Sequence, residues 1–115
     1  MNAELDKFMA EVMGWSKVLI YNVWRYAESA EKYINYIDWH PTEDRGQAID
    51  CLEKFCKDAH CYANFIFNLD ELKWSVYVWN EVDIRESDAD IEGEGVNDKL
   101  PLAICESIKQ ALEAK

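Results

Sequence analysis

Two runs of strand-forming residues set the first constraint on this chain. Residues 61–69 read CYANFIFNL and residues 73–81 read KWSVYVWNE, with only Asp70, Glu71 and Leu72 between them. Aromatic and β-branched side chains favour a pleated backbone, and so short a connection forces the second run back along the first as an antiparallel hairpin. Side chains alternate across a strand, so Ala63, Phe65, Phe67 and Leu69 share one face of the first run. On the second run Trp74, Val76 and Val78 share one face, and Tyr77 and Trp79 share the other. Both faces of the second strand are therefore apolar. Either something covers both sides of this hairpin, or one side is a binding surface.

The flanking segments carry helical periodicity. Leu5, Phe8, Met9, Val12 and Met13 form one apolar stripe and predict a helix over 4–13, with Gly14 in the preferred stop position. Residues 17–26, KVLIYNVWRY, read as a strand. Residues 27–37 fit a loop, a helical turn or a short edge strand. A second helix follows the segment Asp38-Trp39-His40-Pro41-Thr42. The residue before a proline is pushed to extended geometry, so His40 stays outside the helix. Thr42 is the expected N-cap, and Glu43 and Asp44 suit the positive end of the helix dipole. Ala48, Ile49, Leu52, Phe55, Cys56 and Ala59 continue one apolar face, which predicts a helix from 43 to between 57 and 60. Gly46 in its second turn costs about 1 kcal/mol relative to alanine. A last helix is predicted over 101–114, with Pro101 in its first turn and Ile104, Ile108, Ala111 and Leu112 as its buried stripe. The order is α-β-α-β-β-α within one domain over 1–115. It predicts an α+β fold with a small, largely antiparallel sheet of about three to four strands packed between helices.

Charge narrows the function. The chain has 23 acidic and 12 basic residues, a net charge of −11, so a direct grip on a nucleic-acid backbone is excluded as the expected activity. The acids concentrate: residues 81–98 hold eight of them against Arg85 alone, and a solvated loop is expected over about 82–99. Within it Asp88, Asp90, Glu92 and Gly93 match the first positions of a calcium loop. Lys99 stands where the closing glutamate belongs and Gly95 where an apolar residue belongs, so no metal site is expected.

Other chemistry is thin. Cys51, Cys56, Cys61 and Cys105 contain no C-x-x-C pair and read as buried thiols. Cys56 and His60 stand four apart, as two metal ligands on one helix face would, with no completing set. Asp38 beside His40 is raw material for general-base chemistry, but no nucleophile or glycine-rich turn accompanies it, and Trp39 is expected to plug into the core. No phosphate-binding or hydrolase motif is present. Catalysis, cofactors and metals are therefore not expected. The N-terminal residues lack a basic region followed by an apolar run, and no apolar stretch is long enough to span a bilayer. A cytoplasmic location with reduced cysteines is expected.

Four landmarks occur in a set order: Met13-Gly14-Trp15 closing the first helix, Trp39-His40-Pro41-Thr42 opening the second, an aromatic strand pair, and Pro101-Leu102-Ala103-Ile104 opening the last helix. Gly14, Trp15, Trp39, Pro41 and Thr42 carry the pattern. Across nearly the whole chain this order resembles the phage ABA (alpha-beta-alpha) sandwich domain family of short phage and prophage proteins. The resemblance implies that fold and a phage origin, hence a host cytoplasm, and no settled activity. The segment 16–37 is longer and more strand-like here than the short glycine-containing segment of the family.

The functional expectation is a protein without catalysis that binds a host or phage protein, with no direct nucleic-acid and no membrane partner. Asp88, Asp90, Glu92 and Glu94 would imitate phosphate charge in a basic groove of a host defence or regulatory protein. The alternative is a small-molecule or nucleotide binder that stacks a base on Trp74, Tyr77 and Trp79. The two-sided apolar hairpin is compatible with a monomer or a homodimer.

Overall fold

A computed structural model of the chain describes residues 3–18, 23–26, 33–35, 38–80 and 92–113, with side chains over 3–15, 38–80 and 92–113. Helix α1 (Ala3–Val12) buries Met9 and Ala10 and ends at Gly14, whose φ of 82° is the left-handed conformation that glycine adopts without steric cost. Strands β1 (Trp15–Val18), β2 (Val23–Tyr26) and β3 (Tyr33–Asn35) form an antiparallel sheet in the order β1-β2-β3. Trp15 lies opposite Tyr26 and Val18 opposite Val23. The single strand expected over 17–26 is therefore two paired strands. No glycine or proline marks a break in that run, so propensity alone reads it as continuous. Residues 33–35 resolve part of the segment left open between loop, turn and strand; residues 19–22, 27–32 and 36–37 lie outside the described residues.

Helix α2 (Arg45–Ala59) starts two residues later than expected. Its N-cap is Asp44, not Thr42: the Asp44 carboxylate accepts from the Gln47 backbone N–H at 3.0 Å. Thr42 is instead buried against α1. The helix stops at His60, which adopts φ 54° and ψ 49° while its N–H donates to the Cys56 carbonyl. Gly46 is exposed, and a Cβ there would sit 3.2 Å from the Asp44 carboxylate, so its small size serves the cap rather than contact with another element.

Strands β4 (Cys61–Asn68) and β5 (Lys73–Asn80) form the hairpin, paired without a bulge from Cys61 opposite Asn80 to Asn68 opposite Lys73. The Asn68 side chain accepts from the N–H groups of Asp70 and Glu71 and tightens the turn, and Leu72 closes it at a positive φ of 54°. A third strand, β6 (Glu92–Asn97), pairs antiparallel with β5 in the order β4-β5-β6. This corrects the expectation of an acidic loop through residue 99. Glu-Gly-Glu-Gly-Val has period two, and its glycines face a helix that leaves no room for a Cβ. A Cβ on Gly93 would lie 2.1 Å from the Ser107 carbonyl oxygen, and one on Gly95 would lie 2.0 Å from that of Ala103. That helix is α3 (Leu100–Glu113), with Pro101 in its first turn.

The fold is α+β, with two small antiparallel sheets, of which β4-β5-β6 is packed with helices. The core forms where α3 lies between the sheet and the other two helices. Ile104 and Ile108 of α3 meet Val76 and Val78 of β5, Met9 of α1 and Phe55 of α2, all buried. Each such side chain contributes about 1.5–3 kcal/mol through removal from water. Among the described residues the helices pack on one face of the β4-β5-β6 sheet, and the molecule is flat, 46 × 39 × 19 Å.

Candidate interaction surface

Pairing register decides which side chains share the face of the second sheet that lies away from the helices among the described residues. Residues directly opposite in an antiparallel ladder point the same way. Trp79 lies between Tyr62 of β4 and Glu92 of β6, and Tyr77 lies between Asn64 and Glu94. These residues stand on the face away from α3, whereas Val76 and Val78 point into the core. The rings form a continuous platform. Tyr77 and Trp79 stack with centroids 5.4 Å apart, and Tyr62 lies 5.8 Å from Trp79. Such separations favour offset ring packing. The Tyr77 hydroxyl donates to the Glu92 carboxylate. Glu94 is exposed beside it, and its backbone N–H donates to the Gln110 side chain, which shields that edge of β6. Tyr62 is half exposed, at 51%.

The structure thus brings together four of the residues singled out in the sequence: Tyr77, Trp79, Glu92 and Glu94. It separates the others. Trp74 belongs to the opposite face, where it packs on Phe67 with centroids 5.1 Å apart and against the core, so the three-ring surface of Trp74, Tyr77 and Trp79 does not exist. Parity in the strand requires this, because 74 is even where 77 and 79 are odd. Asp88 and Asp90 lie outside the described residues. The calcium-loop pattern fails at Glu92 and Gly93, which are strand residues, one bound to Tyr77 and the other pressed on α3. Tyr62 is the platform residue that sequence reasoning passed over. Its signal was there: period two through CYANFIFN places Tyr62, Asn64 and Ile66 opposite the face already assigned.

The Asp38–Thr42 segment is a helix entrance held by α1. Trp39 is buried, in tilted contact with Trp15 at 6.2 Å, and its Nε1–H donates to the Asp6 carbonyl at 2.8 Å. One Asp6 carboxylate oxygen accepts from both the Thr42 N–H at 3.0 Å and the Thr42 hydroxyl at 2.9 Å. Pro41 and Thr42 are buried around this clamp. The Gln47 side chain closes the other side, accepting from the His40 N–H and donating to the Asp38 carbonyl. Asp38 and His40 therefore enter this network through their backbones.

The remaining reactive groups are muted. Burial pushes the Cys51 thiol up to about 12, with help from Asp50 and Asp6, and pushes Cys105 up further. Burial, then the charge of Cys61, also raises Cys56. Thiols held as high as those of Cys51 and Cys105 supply almost no thiolate at neutral pH. His60 ends α2 in a left-handed conformation and so leaves the helix face that Cys56 occupies. Among the described residues no three His, Cys, Asp or Glu side chains are grouped to hold a metal ion. Among them, too, no helix is long and apolar enough to cross a membrane. A broad, shallow depression of about 410 Å³ on α3 is lined by Glu106, Lys109, Gln110 and Glu113, all on one helix. No known protein family, curated protein or solved structure matches the chain.

Proposed function

We propose that this protein acts without catalysis, by binding a basic protein through the face of the β4-β5-β6 sheet opposite α3. The observation that carries this reading is the pairing of a three-ring platform, Tyr62-Trp79-Tyr77, with the carboxylates of Glu92 and Glu94 on the same face. Ring faces attract cations, and carboxylates beside them complete the attraction. An arginine satisfies both at once, because its planar guanidinium stacks on a ring and also bonds a carboxylate in a fork. A net charge of −11 on the chain steers such a partner inward. The same carboxylates oppose a nucleotide phosphate over the rings, so the reading favours a protein partner over a nucleotide. The resemblance to short phage and prophage proteins extends the proposal to a phage-encoded product acting on a host or phage protein in the host cytoplasm.

The test is affinity capture from host lysate with three baits: the wild-type chain, Glu92→Gln/Glu94→Gln, and Trp79→Ala. The partner captured by the wild type is expected to fall away with both variants and on raising salt from about 0.1 M to about 0.5 M. Unchanged recovery with both variants contradicts the proposal.

A further inference from the structure

The second sheet has two edges, and they differ. At β6 the Gln110 side chain on α3 takes up an edge N–H. Strand β4 has no strand beside its outer edge among the described residues. Proteins blunt an open edge with charge, proline, a bulge or shortness. β4 uses none of these: it is eight residues long, pairs without a bulge, and CYANFIFN holds no charged residue, proline or glycine in a chain that is 30% charged. It also exposes large apolar side chains on both faces, Phe65 and Phe67 on the helix side and Ile66 on the other. An occupant that covers both faces must enter the sheet as a strand with apolar residues in both alternations. β4 itself is such a strand.

We propose that β4 pairs antiparallel with β4 of a second copy about a two-fold axis, extending the sheet to six strands. Opposed residues share a face, so the axis must pass through one residue, and Phe65 gives the complementary register. Phe65 then meets its own copy, bulky Phe67 lies opposite small Ala63, and Ile66 lies opposite Asn64. The same register sets Asp70 of the hairpin tip across from His60 of the second copy, with Glu71 next to it and Lys57 one turn back along α2. Acidic tip and basic helix end are thus matched twice. Of the charged residues near that helix end, Asp58 is already held by Lys54 at 3.0 Å, which leaves Lys57 to the partner tip, with the His60 imidazole beside it as a hydrogen-bonding group. Both ring platforms emerge on one face of the joined sheet, so the pairing is independent of what they bind.

Sedimentation equilibrium of the full chain tests this. The wild type is expected to dimerise, and Phe65→Lys, which opposes two like charges on the axis, is expected to weaken the dimer at least about tenfold. Circular dichroism checks that this variant folds. A second set does not touch the strand: Asp70→Lys/Glu71→Lys is expected to weaken the dimer, and adding Lys57→Glu/His60→Glu is expected to restore it. A wild type that stays monomeric overturns the proposal. So does a dimer indifferent to Phe65→Lys, or a tip reversal that the helix-end reversal does not rescue.

Discussion

Asp6 does more than its place in the first turns of a helix would suggest. Its carboxylate is the acceptor for both polar groups of Thr42, and its carbonyl receives the Trp39 indole. Replacing it by alanine leaves a buried N–H and a buried hydroxyl without their acceptor, while the backbone bond to Trp39 survives. Asp6→Ala is expected to cost about 2–3 kcal/mol in urea unfolding, and Asp6→Asn, which keeps the oxygen, clearly less. Equal losses in the two variants would show that charge rather than acceptor geometry holds the entrance. None of this was legible in the sequence. Trp39 in the core and His40 outside the helix follow from local rules, but the partner of Thr42 is 36 residues away, and a threonine followed by acids looks like a cap. The aspartate two positions on took that role.

At the level of elements, the strongly periodic segments were readable and the glycine-rich one was not. The three helices, the hairpin and its two faces follow from apolar spacing alone. β6 was hidden because glycine is a poor strand former, so Glu-Gly-Glu-Gly reads as a solvated loop. Its reason is tertiary: α3 rides on the strand backbone at a distance that excludes any side chain. Gly95→Ala would put a methyl group against the Ala103 carbonyl and the Ser107 N–H, both backbone atoms that cannot swing aside. We expect a loss of about 3 kcal/mol by thermal or chemical unfolding, against less than about 1 kcal/mol for Val96→Ala on the open face of the same strand. A Gly95→Ala protein as stable as the wild type would mean that α3 does not sit on β6 as described. The same glycines explain the site: by letting α3 close on one side of β6, they leave Glu92 and Glu94 together on the other.

For the whole molecule, the described helices pack on one face of a flat sheet, and the proposed binding surface is the opposite face. The overall negative charge was legible from composition, and the two-sided apolar hairpin left two readings open, both sides covered or one side a binding surface. Parity already set Trp74 apart from Tyr77 and Trp79; which of the two faces the helices cover needed the packing of α3. That difference permits a direct test. The two indole N–H resonances can be followed by NMR while an arginine-glycine peptide is titrated into the protein, with a glutamate-glycine peptide as the control. The Trp79 signal is predicted to shift with the arginine peptide alone, the Trp74 signal to stay in place, and Glu92→Gln/Glu94→Gln to weaken binding roughly tenfold. A Trp79 signal that does not move, or a shift indifferent to the loss of both carboxylates, would contradict the assignment of this face as a cation-recognising surface.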